Sequence, residues 1–88
     1  MANHVSALKR ARQNDKRRAR NAHFKSFMRS RVRRVRDAVK AGNAPEAEVL
    51  LRSAMSALHR VAGKGIIHTR TADRKIGRLG KLVSTLRA

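Results

Sequence analysis

Cysteine is absent, so neither a disulfide framework nor a thiolate metal site can form, which fits a reducing compartment. Tryptophan and tyrosine are absent too, and two phenylalanines are the whole aromatic content. Base stacking is therefore a minor resource for this chain. One proline and five glycines are too few for a linker-like composition. No window approaches the roughly 18 consecutive apolar residues of a membrane-spanning helix, and nothing resembles the apolar core of a secretory signal. Acidic residues are the last scarcity: 5 Asp and Glu stand against 23 Lys and Arg, a formal net charge of +18. At 88 residues there is room for one small domain.

A surface this one-sided repels itself unless a polyanion neutralises it. Nucleic acid is the first candidate partner and an anionic membrane the second. The charge is also unevenly placed. Residues 1–40 hold 14 basic and 2 acidic residues, residues 41–62 hold 2 of each, and residues 63–88 hold 7 and 1. A neutral middle thus separates two basic flanks. The basic, acid-poor opening has the composition of a mitochondrial presequence, but its pattern is more ordered than a removable segment requires.

Helix breakers fall at the same joints. In "AGNAPEAE" (41–48), Gly42 is a stop, Asn43 an N-cap and Pro45 a first-turn residue, with Glu46 at capping-box spacing from Asn43. "AGKG" (62–65) is a second stop, and Ser6 is the expected N-cap of the opening helix. No strand-like alternation occurs. The sequence predicts three helices over about 6–41, 44–62 and 67–87.

Each predicted helix has an apolar stripe. Ala47, Leu50, Leu51, Ala54, Met55, Leu58, Val61 and Ala62 form that of the second, and Ala72, Ile76, Leu79, Val83 and Leu86 that of the third. In the first helix the stripe of Phe24, Phe27, Met28, Val32, Val35 and Val39 begins only at residue 24. The expected fold is all-α, an antiparallel three-helix bundle with a long, overhanging basic N-terminal helix. At ~1.5 Å per residue the first helix spans about 54 Å, and residues 6–22 overhang its shorter partners by about 25 Å.

On a helical wheel, Lys9, Arg10, Arg12, Lys16, Arg17 and Arg20 share an arc of roughly 160°. Leu8, Ala11, Asp15, Ala19 and Ala22 lie opposite. Beyond residue 24 the core stripe takes over nearly the same side, and Lys25, Arg29, Arg33, Arg36 and Lys40 move to the other, with Arg31 falling near the stripe. A rod passing between polyanion segments fits this crossover better than one flat binding surface. The third helix adds Arg70, Arg74, Arg78 and Lys81, with Gly77 inside that arc and Gly80 near its edge. Such faces act by neutralising phosphates and releasing counterions. Abundant arginine favours forked phosphate contacts, and recognition is of RNA shape and backbone more than of sequence.

Chemistry of other kinds has little to stand on. His4, His23, His59 and His68 lack ligand spacing, no carboxylate pair is evident, and "GKG" (63–65) is not a phosphate-binding loop. Neither an enzyme, nor a cofactor, nor a metal is expected.

The opening "MANHVSALKRARQNDKRRARN" closely resembles the start of the bacterial small-subunit ribosomal protein twenty family, whose members commonly begin MANH-x-SA-x-KR and continue RQN-x-KRR-x-RN. "KGIIH" (64–68) is similar to that family's lead into its third helix. The likeness in length and helix layout extends over the whole chain. It implies a single rRNA-binding three-helix domain, residues 1–88, acting as a structural protein of the small subunit. Such a protein binds 16S rRNA directly during assembly, in the 5′ domain and near the long penultimate helix, among neighbouring small-subunit components. By motif match the candidate RNA contacts are Asn3, His4, Ser6, Lys9, Arg10, Arg12, Gln13, Asn14, Lys16, Arg17, Arg18, Arg20 and Asn21. The second motif adds Lys64, Gly65 and His68. Two stretches depart from the family pattern: Val5 stands where a basic residue is common, and "TRTADRKIGRL" follows His68 where a Lys-Asn pair and small residues are usual.

The resemblance implies a ribosome in the cytoplasm, and the residues suit an organellar ribosome equally. The competing reading is a nonspecific DNA- or RNA-compacting basic protein. A membrane-active helix would need a large apolar face opposite its cations, where this chain has Leu8 and alanines. Residues 3–21 are expected to be mostly non-helical until RNA arrives, because like charges at i,i+4 destabilise an isolated helix.

Overall fold

The computed structural model describes residues 2–86, with side chains from His4 onward. Its elements are α1 (Ala2–Lys40), α2 (Ala44–Gly63) and α3 (Thr69–Ser84). The all-α expectation holds, with three helices folded back on one another.

The first turn-back follows from Gly42. Its φ of +73° is left-handed, a conformation that a Cβ makes costly. The Gly42 N–H donates to the Val39 carbonyl at 3.0 Å and the Asn43 N–H to the Ala38 carbonyl at 3.1 Å. These are the two bonds of a Schellman ending. Asn43 then caps α2: its Oδ1 accepts the Glu46 N–H at 3.2 Å, and its Nδ2 donates to Glu46 Oε2 at 2.9 Å. The return bond of this capping box therefore comes from the Asn43 side chain, where the usual form uses the cap's backbone N–H.

The second turn-back repeats the device with Gly65 at φ +76°. The Gly65 N–H donates to Ala62 O and the Ile66 N–H to Val61 O. Ile66 packs against the core that contains Val61, the apolar contact that accompanies this ending.

Three helix limits differ from expectation. Ser6 lies inside α1 and caps nothing, because no glycine or proline between residues 2 and 41 interrupts it. Alpha-helix 3 begins at Thr69, two residues late, since Ile66 and Ile67 first pack back on the core and His68 takes the cap. It ends at Ser84, where the Ser84 hydroxyl donates to Gly80 O and the Thr85 hydroxyl to Leu82 O. Residues 3–21, expected to be mostly non-helical without RNA, continue the same α1 helix. Alanine, arginine, lysine and glutamine are all good helix formers, and local propensity carries this segment.

The core contains Met28, Val35 and Ala38 of α1, Ala47, Ala54, Leu58 and Val61 of α2, and Ala72, Leu79 and Val83 of α3. Phe24, Val32, Val39, Leu50, Leu51, Ile76 and Leu86 pack around it. Phe27 departs from the expected stripe: it is half-buried outside this cluster, with the Arg31 guanidinium 5.1 Å from its ring centroid. Arg31 also donates to Ser53 Oγ, so it joins α1 to α2.

Nothing of this core reaches the first half of α1. Every described side chain from His4 to Arg20 is exposed, and Asn21 is the first to be even half-buried. The overhang makes the molecule 67 Å long by 21 Å by 14 Å. Its radius of gyration is 17.8 Å, against about 12 Å for a compact chain of this length.

Candidate nucleic-acid interface

The overhang presents Lys9, Arg10, Arg12, Lys16, Arg17, Arg18 and Arg20 with one acid, Asp15, among them. None of the seven has a side-chain hydrogen bond or ion pair among the described residues. Arg18 falls on the far side of the wheel from the other six. His4, Ser6, Gln13 and Asn14 share the exposed segment. Asn21 sits at the junction with the bundle, and the side chain of Asn3 lies outside the described residues. The crossover expected from the wheel is present. Below residue 24 the side of α1 that carries cations in the overhang is occupied by core.

The second group has structural duties as well as charge. Lys64 Nζ lies 4.8 Å from the Phe24 ring centroid, and His23 meets the same ring edge-on at 5.5 Å. This contact sets the α2–α3 connection at the level where the overhang leaves the bundle. Gly65 supplies the left-handed turn. His68 Nδ1 accepts the Arg70 N–H at 3.1 Å, which makes it the N-cap of α3. The cap was missed in the sequence because histidine is an uncommon residue there. Its signal was the apolar Ile66–Ile67 pair just before it, which packs on the core.

On α3, Arg70, Arg74, Arg78 and Lys81 are all exposed, spread over about 17 Å of helix. A Cβ added at Gly77 or Gly80 would meet nothing within 4 Å, so no contact inside the chain requires glycine at either position.

Two grooves run along the bundle. The one between α1 and α2 is lined by Arg34, Asp37, Ala38, Ala41, Glu46 and Leu50, so acids offset its cation. The one between α1 and α3 is lined by Met28, Arg29, Val32, Arg33, Arg36 and Lys75 and has no acid. Lys75 also borders a shallow depression on α3 with Thr71, Arg74 and Arg78. Residues 29, 33 and 36 were recognisable as a basic face, but the sequence did not say that Lys75 would lie across from them.

Residues 2–84 match the family model for ribosomal protein S20. The chain belongs to that family. The small ribosomal subunit protein bS20 of Syntrophotalea carbinolica is 54% identical over 86 residues, covering 98% of this chain and 99% of that protein. Its namesake from Geobacter sulfurreducens is 48% identical over the same length, with the same coverage. That of Desulfatibacillum aliphaticivorans is 46% identical, with 98% of each chain covered. Ribosomal protein S20 is a family of structural ribosome components and not of enzymes. Among the described residues no cluster of His, Asp and Glu could hold a metal, and no helix is long and apolar enough to cross a membrane.

Proposed function

We propose that this chain is a structural protein of the small ribosomal subunit, and that it binds 16S rRNA directly and stabilises its fold during assembly. The observation that carries this reading is the unpartnered cationic overhang, a helix with seven exposed cations and no packing of its own. Phosphates supply the missing partner. Each contact with Lys or Arg releases condensed counterions, and arginine forks add bidentate hydrogen bonds.

The whole chain, residues 1–88, acts as one rRNA-binding unit. Asn3, His4, Ser6, Gln13, Asn14 and Asn21 add polar contacts beside the overhang cations. Lys64, Gly65 and His68 offer a second contact at the foot of the overhang, and Arg70, Arg74, Arg78 and Lys81 a third along α3. Membership in the S20 family supports the 5′ domain and the long penultimate helix of 16S rRNA as the segments bound. It also supports neighbouring small-subunit components as further partners, on a ribosome in the cytoplasm.

Replacing Lys9, Arg12, Lys16 and Arg20 by Ala tests the reading. Affinity for the 16S 5′ domain should fall, and the slope of log K against log salt should flatten by about 3. The bundle should melt unchanged, because all four side chains are exposed. Unchanged affinity and slope would show that the overhang is not the main binding element. Footprinting with bulk DNA as competitor separates this function from nonspecific compaction, in which DNA would erase the footprint.

A further inference from the structure

The α1–α3 groove has a construction that the overhang lacks. Its floor is apolar, formed by buried Met28 and half-buried Val32. Its rim is cationic on both sides, with Arg29, Arg33 and Arg36 on α1 and Lys75 on α3. All four rim residues are exposed. None has a side-chain hydrogen bond or ion pair among the described residues. The groove between α1 and α2 shows the contrast, since Asp37 and Glu46 flank Arg34 there.

We propose that the α1–α3 groove is a further site for RNA sugar–phosphate backbone, distinct from the overhang and held by Arg29, Arg33, Arg36 and Lys75. This rests on the proposed rRNA-binding function and extends it to residues outside that reading. Three arguments select the occupant. The α1 cations recur at spacings of four and three residues, a row about 10 Å long. A row suits successive phosphates along a strand better than one small anion. Lys75 faces that row from another helix, so the two rims can grip a strand from both sides. The floor offers no hydrogen-bond donor or acceptor to read a base, which suits backbone and shape recognition. Charge complementarity also excludes a basic protein segment as the occupant.

The site is distinct because of where it lies on α1. Six of the seven overhang cations, all but Arg18, occupy the side that becomes core below residue 24, whereas Arg29, Arg33 and Arg36 lie across the helix from those six. A strand on one face therefore does not reach the other.

The test uses the full chain and 16S rRNA. A variant carrying Arg29→Ala, Arg33→Ala and Lys75→Ala should flatten the salt slope by about 2–3 and weaken binding roughly ten- to hundredfold. Its circular dichroism melt should match the parent. Where the triple variant melts early, Arg33→Glu alone is read instead, because its side chain is exposed. The loss should persist when added to the four overhang substitutions. An unchanged slope overturns the proposal, and so does a loss that vanishes in the overhang background. A variant that loses polyglutamate binding but keeps its RNA slope also overturns it, by making the groove an acidic-protein dock.

The absence of cysteine permits a second readout. A hydroxyl-radical source tethered through Thr71→Cys, beside Lys75, should cut rRNA positions different from those cut through Leu8→Cys on the overhang. Identical cuts from both overturn the separate site. If the overhang substitutions leave binding intact while the groove substitutions do not, the proposed overhang function fails and the groove stands.

Discussion

The ammonium of Lys64 lies 4.8 Å from the centre of the Phe24 ring, joining the α2–α3 connection to the point on α1 where the core begins. One residue thus contributes both to packing and to the charge beside the overhang. Breaking the pair should loosen the top of the bundle before its base.

Phe24→Leu should lower stability by about 1 kcal/mol, through lost ring area and the lost cation–π contact. Lys64→Met should cost about 0.5–1 kcal/mol. A double-mutant cycle from denaturant titrations should give a coupling energy of about 0.5–1 kcal/mol, because the two groups touch. A coupling of zero would reduce the contact to mere proximity.

Leu58 is fully buried, and Leu58→Ala should destabilise the bundle by about 2–5 kcal/mol, enough to unfold much of so small a core. Leu8, 52% exposed on the overhang, should tolerate Ala within about 0.5 kcal/mol. Thermal melts of the two variants check the division between bundle and overhang.

Helix in the overhang rests on propensity alone, so glycine should act there without disturbing the bundle. Ala11→Gly with Ala19→Gly should reduce far-ultraviolet ellipticity while leaving the main melting transition in place, at about 1 kcal/mol of local cost per site. Adding 16S 5′-domain RNA should restore the ellipticity. RNA affinity should fall up to about thirtyfold, because the RNA must then order the segment.

Two glycines should respond in opposite directions. Gly42 has a left-handed φ of +73°, so Gly42→Ala should cost about 1–2 kcal/mol. Gly77 is helical with open space where a Cβ would go, so Gly77→Ala should stabilise α3 by about 1 kcal/mol and raise the melting temperature. An RNA affinity that falls despite the added stability would indicate a phosphate close to the bare helix surface.

Helix number, both turn-backs and the start of the core were legible because each has a strong local cause. Gly42 and Asn43 determine their joint whatever lies elsewhere, and the apolar spacing from Phe24 to Val39 has no competing period. Ser6 misled because a residue that can cap a helix does so only where the chain turns, and here it does not. Ala38 and Ala57 are buried but went unnoticed, since alanine fits a core and a surface alike. Phe27 and Arg31 settled their positions jointly, through a ring contact and a bond to Ser53 that no one-dimensional pattern contains. The cationic faces were readable residue by residue. The groove was not, because it needs α3 to bring Lys75 beside α1.

Because α1 runs unbroken from Ala2 to Lys40, its two halves share one rotational phase. A single residue inserted near Ala22 would turn the overhang by about 100° relative to the bundle and lift it by about 1.5 Å. Every cation would survive, yet the two faces would no longer meet the same pair of strands. Seven inserted residues would nearly restore the phase and move the faces about 10 Å apart along the axis. The long helix is thus a gauge of angle and distance as well as a carrier of charge.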